Sequence, residues 1–240
     1  MGNLIKVFAG LMVLIASILT FISCENDTNP VPLDGIVDVF VQDIKTDAGV
    51  KYGIVVYATA NYEIKSAKVT APGAGGKVYQ LTASTNKQQF LYIPSTADYT
   101  SEMPVNGDYT FEIISTTDET ITGKDAVGVE KLAPVVLKTA TMANQQLKAT
   151  WDKITAADGY VVRLYSADKS ELLFSSNVLI DKAEFEFGTS TSGWASGTSP
   201  VVNTNYVVEL IAIKTETGVT FDKWNNIQFF SVDSKTIKWE

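Results

Sequence analysis

Short runs of alternating apolar and polar residues recur along the chain from Ile36 onward. Turn-forming residues (Gly, Asn, Asp, Ser and Pro) separate these runs, and no segment carries apolar residues at helical spacing. An alternation of period two places every second side chain on the same face of a strand, so the runs indicate strands with one buried face. The pattern predicts an all-β protein built from antiparallel β-sandwiches. The predicted strands are Ile36–Ile44, Tyr52–Ala60, Ile64–Ala71, Lys77–Thr82, Gln88–Ile93, Tyr109–Thr116, Thr120–Val127, Val135–Lys138, Gln146–Trp151, Tyr160–Ser166, Glu171–Ser175, Ala183–Gly188, Tyr206–Lys214 and Asn226–Trp239, of which the last could be two strands.

The two halves of the chain share a weak internal repeat. The segment Val105–Ile114 aligns with Val202–Ile211, with Val, Asn, Tyr, Glu and the final Ile at matching positions. The repeat distance is about 100 residues, which is the length of one sandwich domain. We therefore predict two tandem sandwiches, over residues 34–130 and 131–240, with the boundary just before Pro134.

The second predicted sandwich has several positions typical of a fibronectin type III domain. Pro134 precedes the first strand, Trp151 ends the second strand, and Tyr206 begins a strand of alternating apolar residues. These positions resemble the family's core tryptophan and tyrosine corner. The resemblance implies that the Tyr206 hydroxyl bonds to the backbone just upstream. Tyr109 opens a similar strand in the first half, for which we predict an immunoglobulin-like sandwich.

The N-terminal segment has the features of a secretory signal. Lys6 supplies a positive charge, and the uncharged run Val7–Ile22 is shorter than the roughly 20 residues of a membrane-spanning helix. Ser23 supplies the small residue that precedes a cleavage site, and Cys24 is the single cysteine of the chain. This arrangement resembles the lipobox of a bacterial lipoprotein.

The lipobox resemblance implies a specific processing and location. Residues 1–23 would be removed, Cys24 would be acylated, and residues 24–33 would form an extended tether. The acidic residues Glu25 and Asp27 resemble the export signal of Bacteroidetes surface lipoproteins. The implied location is the outer membrane, with the protein facing the cell exterior. An uncleaved N-terminal anchor with an incidental cysteine is the alternative.

The composition excludes several classes of function. The chain has no histidine, one cysteine and a formal net charge of −8. Without histidine it lacks the usual general base and the commonest transition-metal ligand. Because the chain is acidic and Arg163 is its single arginine, we expect no basic surface for nucleic acid. No EF-hand calcium motif is present, which leaves a calcium site built from loop carbonyls and isolated aspartates as the alternative, and Pro72–Gly76 lacks the Lys-Ser/Thr ending of a phosphate loop. We therefore expect no enzymatic activity, no cofactor and no metal.

Exposed aromatic residues are the remaining candidates for ligand binding. Trp194 lies in a loop of small polar residues, where an indole could stack on a sugar ring. The alternative, which we favour, is that Trp194 packs against the base of the sandwich. Trp224 near the C-terminus could form a partner-binding patch, and Tyr92 and Tyr99 flank a proline-containing loop. For these three we favour the alternative, which is packing at a sheet edge or a domain junction.

Together, these features predict a lipid-anchored display protein on the cell surface. The family resemblance points to proteins that assist polysaccharide capture beside an outer-membrane importer. The alternative is an adhesion or spacer module that binds protein partners. The expected partners are the membrane, through the lipid, and either a polysaccharide or an outer-membrane protein. The sequence does not distinguish the polysaccharide from the protein partner.

Overall fold

A computed structural model describes residues 31–219 and 226–240. The proposed signal peptide, Cys24 and Trp224 lie outside the described residues. The described part is all-β, with one 3-10 turn at Thr96–Asp98, and this confirms the predicted fold class. Its strands are β1 Gly35–Thr46, β2 Gly49–Ala60, β3 Ile64–Thr70, β4 Val78–Gln80, β5 Thr82–Ala83, β6 Gln89–Tyr92, β7 Gly107–Ser115, β8 Thr120–Val127, β9 Leu137–Ala143, β10 Gln146–Trp151, β11 Gly159–Ser166, β12 Leu172–Ser175, β13 Glu184–Gly188, β14 Asn205–Thr215 and β15 Ile227–Lys238.

The strands form three sheets. The largest has eight strands in the order β12-β11-β14-β15-β1-β2-β6-β5, and it is faced by the four-stranded sheet β4-β3-β7-β8 and the three-stranded sheet β13-β10-β9. The predicted strand over residues 77–82 is divided at Leu81. There the chain leaves its pairing with β3 and joins β6, so one run of sequence contributes to both layers.

Side chains alternate between the two faces of the eight-stranded sheet. Tyr206, Val208, Leu210 and Ala212 belong to the core between the layers, as their period-two spacing predicts. Ile211 belongs to a second, smaller apolar cluster on the opposite face. On β13, the glutamates are exposed and the two phenylalanines turn inward, again as predicted.

The eight-stranded sheet contains strands from both halves of the chain. β1 pairs in parallel with β15, with Val41 opposite Phe229 and Gln42 opposite Phe230, whereas every other strand pair in the described residues is antiparallel. The sequence did not predict this pairing between the halves. We call it the seam, together with the three carboxyl groups that flank it, those of the buried Asp38 and Asp43 and of the partly buried Asp125.

Carboxylates accept hydrogen bonds from backbone amides on both sides of the seam. Asp38 accepts from the Ile227 amide at 3.2 Å, and Asp125 accepts from the Val39 amide at 2.5 Å. Both acceptors are remote in sequence from their donors. The seam is therefore held by specific polar contacts in addition to strand pairing.

A continuous set of hydrogen bonds crosses the other end of the seam. The Val135 amide donates to Ser231 Oγ at 2.8 Å, and Ser231 Oγ donates to Asp43 at 2.9 Å. Asp43 also accepts from the Val232 amide at 3.1 Å. The connection between the predicted domains is thus bonded to the shared sheet. The division into two sandwiches at residue 130 stays a prediction.

Both predicted tyrosine-corner strands have their hydroxyl bonded to backbone upstream. Tyr206 Oη accepts from the Val201 amide at 2.8 Å, which confirms the contact implied by the resemblance. In the first half, Tyr109 Oη donates to the Val105 carbonyl at 2.9 Å. The two sites use opposite hydrogen-bond directions, because a hydroxyl can either donate or accept.

Removing the Tyr206 hydroxyl provides a test of this contact. We expect Tyr206→Phe to lower the free energy of unfolding by about 0.5–1.5 kcal/mol, because the hydrogen bond from the Val201 amide is lost. Tyr109→Phe is the matched variant, in which a carbonyl loses a donor. Urea unfolding measures both changes, and a Tyr206→Phe protein as stable as the wild type would contradict the assignment.

Candidate functional site

The loop that carries Trp194 packs onto the protein. The Trp194 indole nitrogen donates to the Gly188 carbonyl at 3.1 Å, and its ring meets the edge of Phe174 with centroids 5.2 Å apart. Backbone bonds from Ser175 to Gly193 and from Ala195 to Leu173 place this loop along β12. The loop therefore covers an edge strand of the large sheet, which limits pairing with other chains. This arrangement corresponds to the packing alternative rather than to an indole displayed in solvent.

The other sequence candidates have different environments. Tyr99 belongs to the loop that follows β6 and is 8% exposed, with its ring packed close to Gly53, whereas Tyr92 is partly exposed. Trp224 and Cys24 lie outside the described residues. Tyr92 lines a concave site formed by described residues.

Tyr92 lines a cleft of about 160 Å³ beside the seam. Tyr52 and Tyr79 contribute two further aromatic rings, and Lys77 and Asp98 contribute charged groups. The Tyr79 and Tyr92 rings meet at 67° with centroids 4.9 Å apart. We call this site the tyrosine cleft. Sequence reasoning missed Tyr52, Tyr79 and Lys77, because they are distant from Tyr92 along the chain.

Close backbone packing fixes the position of the loop that forms one wall of the cleft. A Cβ atom on Gly53 would lie 2.9 Å from a Pro94 ring carbon and 3.1 Å from a Tyr99 ring carbon, so glycine permits this approach. Tyr52 and Thr100 exchange two backbone hydrogen bonds of 2.7 and 3.0 Å. The wall is therefore attached directly to β2.

A capping box orients Asp98 at the rim of the cleft. Asp98 Oδ2 accepts from the Ser95 hydroxyl at 2.7 Å and from the Ser95 amide at 3.0 Å. These bonds, above all the one from the hydroxyl, lower the pKa of Asp98, and Lys77 lowers it further. Asp98 is thus a fixed, ionised acceptor at neutral pH.

The other polar groups of the cleft complement this carboxylate. Lys77 Nζ lies 3.4 Å from Asp98 Oδ1 and 5.0 Å from the centre of the Tyr79 ring. Desolvation raises the pKa values of Tyr79 and Tyr92, so both phenols keep their protons. The cleft therefore offers aromatic surface, one ammonium donor and one carboxylate acceptor.

The described residues offer little support for other kinds of site. They contain no group of three potential metal-ligating side chains. No helix within the described ranges has the length and apolar character needed to cross a bilayer. Two wider depressions, beside Pro134 and over Phe111 and Gly123, have fewer aromatic rings than the tyrosine cleft.

Comparisons with known proteins give only distant similarity. No protein-family model matches the sequence, and no curated protein matches it. A structure of the fibronectin domains FN1–FN3 of chicken CNTN1 matches with a TM-score of 0.29 and 12% identity, covering 84% of this chain and 65% of that chain. The BSP domain of a biofilm-associated protein matches with a TM-score of 0.25 and 18% identity, covering 77% of this chain and 27% of that chain. This chain therefore spans less than two thirds of either solved structure, and similarity of this degree carries no functional argument.

Proposed function

We propose that this protein is a lipid-anchored module of the outer-membrane surface that holds binding loops at a distance from the membrane. The observation that carries the proposal is the parallel register of β1 and β15. β1 begins at the tether end of the protein, and β15 continues in the same direction past the end of β1. At about 3.3 Å per residue, the path from Gly35 through the seam to Lys238 is about 50 Å long.

The N-terminal end of the described chain is positioned to receive a tether. Tyr62 Oη donates to the Val31 carbonyl at 2.7 Å, and Asn61 Nδ2 donates to the Pro32 carbonyl at 2.8 Å. The last residues of the proposed tether, 31–33, are thus attached to the turn after β2. A lipid anchor at Cys24 would hold this end of the protein at the membrane, and the loops around Trp194 lie at the opposite end.

The carboxyl groups of the seam have structural partners, which favours binding over catalysis. Burial raises the pKa of Asp43 to about 6 and that of Asp125 to about 6. Such shifts also occur at catalytic sites. Here, however, the buried Asp43 accepts a hydrogen bond from the Val232 amide across the seam, and the partly buried Asp125 accepts one from the Val39 amide of β1.

Replacing Cys24 tests the anchor. We expect Cys24→Ala to abolish incorporation of labelled palmitate and to move the protein from the detergent phase to the aqueous phase in a Triton X-114 partition. Ser23→Ala is the matched control, because it keeps a small residue before the cysteine and should retain the label. Protease treatment of intact cells measures exposure at the surface.

Two outcomes would contradict the proposal. An unlabelled wild-type protein with an intact N-terminus would support the uncleaved anchor instead. A labelled protein that resists protease until the outer membrane is opened would place the module on the inner side of that membrane.

A surface module of this kind could serve as a spacer or adhesion module, or as an accessory to polysaccharide capture. The first role needs only the extended, hydrogen-bonded architecture. The tyrosine cleft favours the second role, because it combines aromatic surface with oriented polar groups.

A further inference from the structure

We propose that the tyrosine cleft binds one neutral six-membered sugar ring of a polysaccharide. This inference rests on the proposed function, and it names the ligand class of that surface module. The cleft lies between the loop after β6 and the start of β2, and one of its rings also contacts the seam.

The aromatic surface of the cleft suits one face of a sugar ring. The C–H bonds on that face are apolar and carry a small positive charge, so they pack against the negative face of an aromatic ring. Tyr52 and Tyr92 are each partly exposed, so they retain ring surface for a ligand. Tyr52 is supported from the other half of the chain by the edge of Phe229, at a centroid distance of 6.3 Å.

The charged groups at the rim suit the hydroxyl groups of a neutral sugar. Asp98 can accept a hydrogen bond from a hydroxyl, and Lys77 can donate one. Because these two groups are 3.4 Å apart, their charges compensate each other. A charged ligand would gain little from this pair, whereas adjacent hydroxyl groups could bridge it.

The size of the cleft limits how much of a polysaccharide enters it. Its volume of about 160 Å³ is several times the share of about 30 Å³ that one water occupies in the liquid. This is room for a single sugar ring, with the rest of the chain extending into solvent. Extended proline-rich peptides instead need a groove that accepts several residues in succession. The small volume therefore favours a sugar.

Affinity gel electrophoresis tests the inference on the full chain. The protein is kept in a detergent without a sugar headgroup and run through gels containing laminarin, dextran, galactomannan or arabinoxylan. We expect at least one of these neutral polysaccharides to retard the wild type. Tyr92→Ala and Asp98→Asn should each weaken that retardation at least tenfold. Tyr62→Ala, which removes a tyrosine at the tether end, should leave it unchanged.

Several results would overturn the inference. One is a wild type that none of the four polysaccharides retards. Another is retardation that survives Tyr92→Ala but is lost in Trp194→Ala, which would place the sugar at the other end of the protein. Binding of a decaproline peptide without binding of polysaccharide would identify a peptide site. Near-ultraviolet circular dichroism checks that each variant is folded, and Triton X-114 partition of the same wild-type sample reports the anchor independently.

Discussion

Replacing Trp239 by alanine lowers the free energy of unfolding by about 3–5 kcal/mol, because it leaves a large cavity in a closely packed aromatic cluster. Trp239 is 1% exposed although it is the penultimate residue of the chain. Its ring contacts the edges of Trp194 and Tyr206 at centroid distances of 5.9 and 6.4 Å. The Trp239 backbone also forms hydrogen bonds with the Asn203 amide and the Thr204 carbonyl, so both the ring and the backbone of this residue are held in place.

Urea unfolding followed by far-ultraviolet circular dichroism measures this loss. Val202→Ala is the control at the same end of the protein. Val202 is 52% exposed, so we expect its replacement to change the free energy of unfolding by no more than about 0.5 kcal/mol. If the free energy of unfolding of Trp239→Ala lies within about 1 kcal/mol of the wild-type value, the aromatic cluster around Trp239 does not stabilise the fold as expected.

Acidification from pH 7.5 to pH 4.5 should stabilise the folded protein through the carboxyl groups of the seam. Burial is the largest cause that raises the pKa values of Asp43 and Asp125 to about 6, and it raises the pKa of Asp38 well above its usual value. In the unfolded chain these groups titrate near pH 4. Above pH 6 the folded protein holds buried charges, and between pH 6 and pH 4 it takes up protons that the unfolded chain does not.

The sign of the effect follows from this difference in proton binding. Stability falls as pH rises wherever the folded state binds more protons than the unfolded state. For the shift of about two pKa units at Asp43 and at Asp125, the change is roughly 3 kcal/mol for each of these two groups. The groups that face the seam carboxyls are Glu216 and Asp233, with Tyr99 beside Asp43. The two acidic neighbours disfavour ionisation further.

Two substitutions at the seam separate this effect from a general response to acid. Asp43→Asn keeps an acceptor and removes the charge, so it should flatten the dependence of unfolding free energy on pH between 4.5 and 7.5. Ser231→Ala removes a donor to the ionised Asp43 and should destabilise the protein more at pH 7.5 than at pH 4.5. Glu184→Gln on the exposed face of β13 is the control and should keep the wild-type slope. Wild-type stability that rises with pH across this range would refute the assignment.

The local part of the fold was predictable from sequence. Alternation along the strands identified the inward faces, for example at Val208 and Leu210, because period two is a property of a single strand. The tyrosine-corner contact of Tyr206 was predictable for a similar reason, since its partner Val201 lies only a few residues upstream. The predicted core tryptophan, Trp151, is 3% exposed and donates its indole hydrogen to the Lys182 carbonyl.

The seam was not predictable, because it joins strands at opposite ends of the chain. β1 carries apolar residues on both faces, with Val39 in the main core and Phe40 in the second cluster. Such a strand belongs in the interior of a sheet, but its sequence does not specify which neighbour completes the sheet. Asp38 and Asp43 are the sequence feature that could have indicated a further neighbour, because acidic residues within an apolar strand require hydrogen-bond partners when they are buried.

The tyrosine cleft was predictable only in part. Tyr92 was identified because it adjoins a proline-containing loop. The other rings and the Lys77–Asp98 pair come from segments that only the sheet topology brings together. Tyr99, identified by the same local reasoning, is buried in the wall, so a loop position alone does not distinguish a binding residue from a packing residue.

The pairing of the first strand with the last also affects the order in which the protein can form. β1 leaves the ribosome before every other described strand, whereas its partner β15 leaves after all of them. Until then, one edge of β1 has no strand beside it, and the loop that must be closed spans nearly the whole described chain. An exposed, apolar strand edge is prone to pair with other chains. Factors that bind exposed strand edges would therefore act on the newly made first half until β15 has been synthesised.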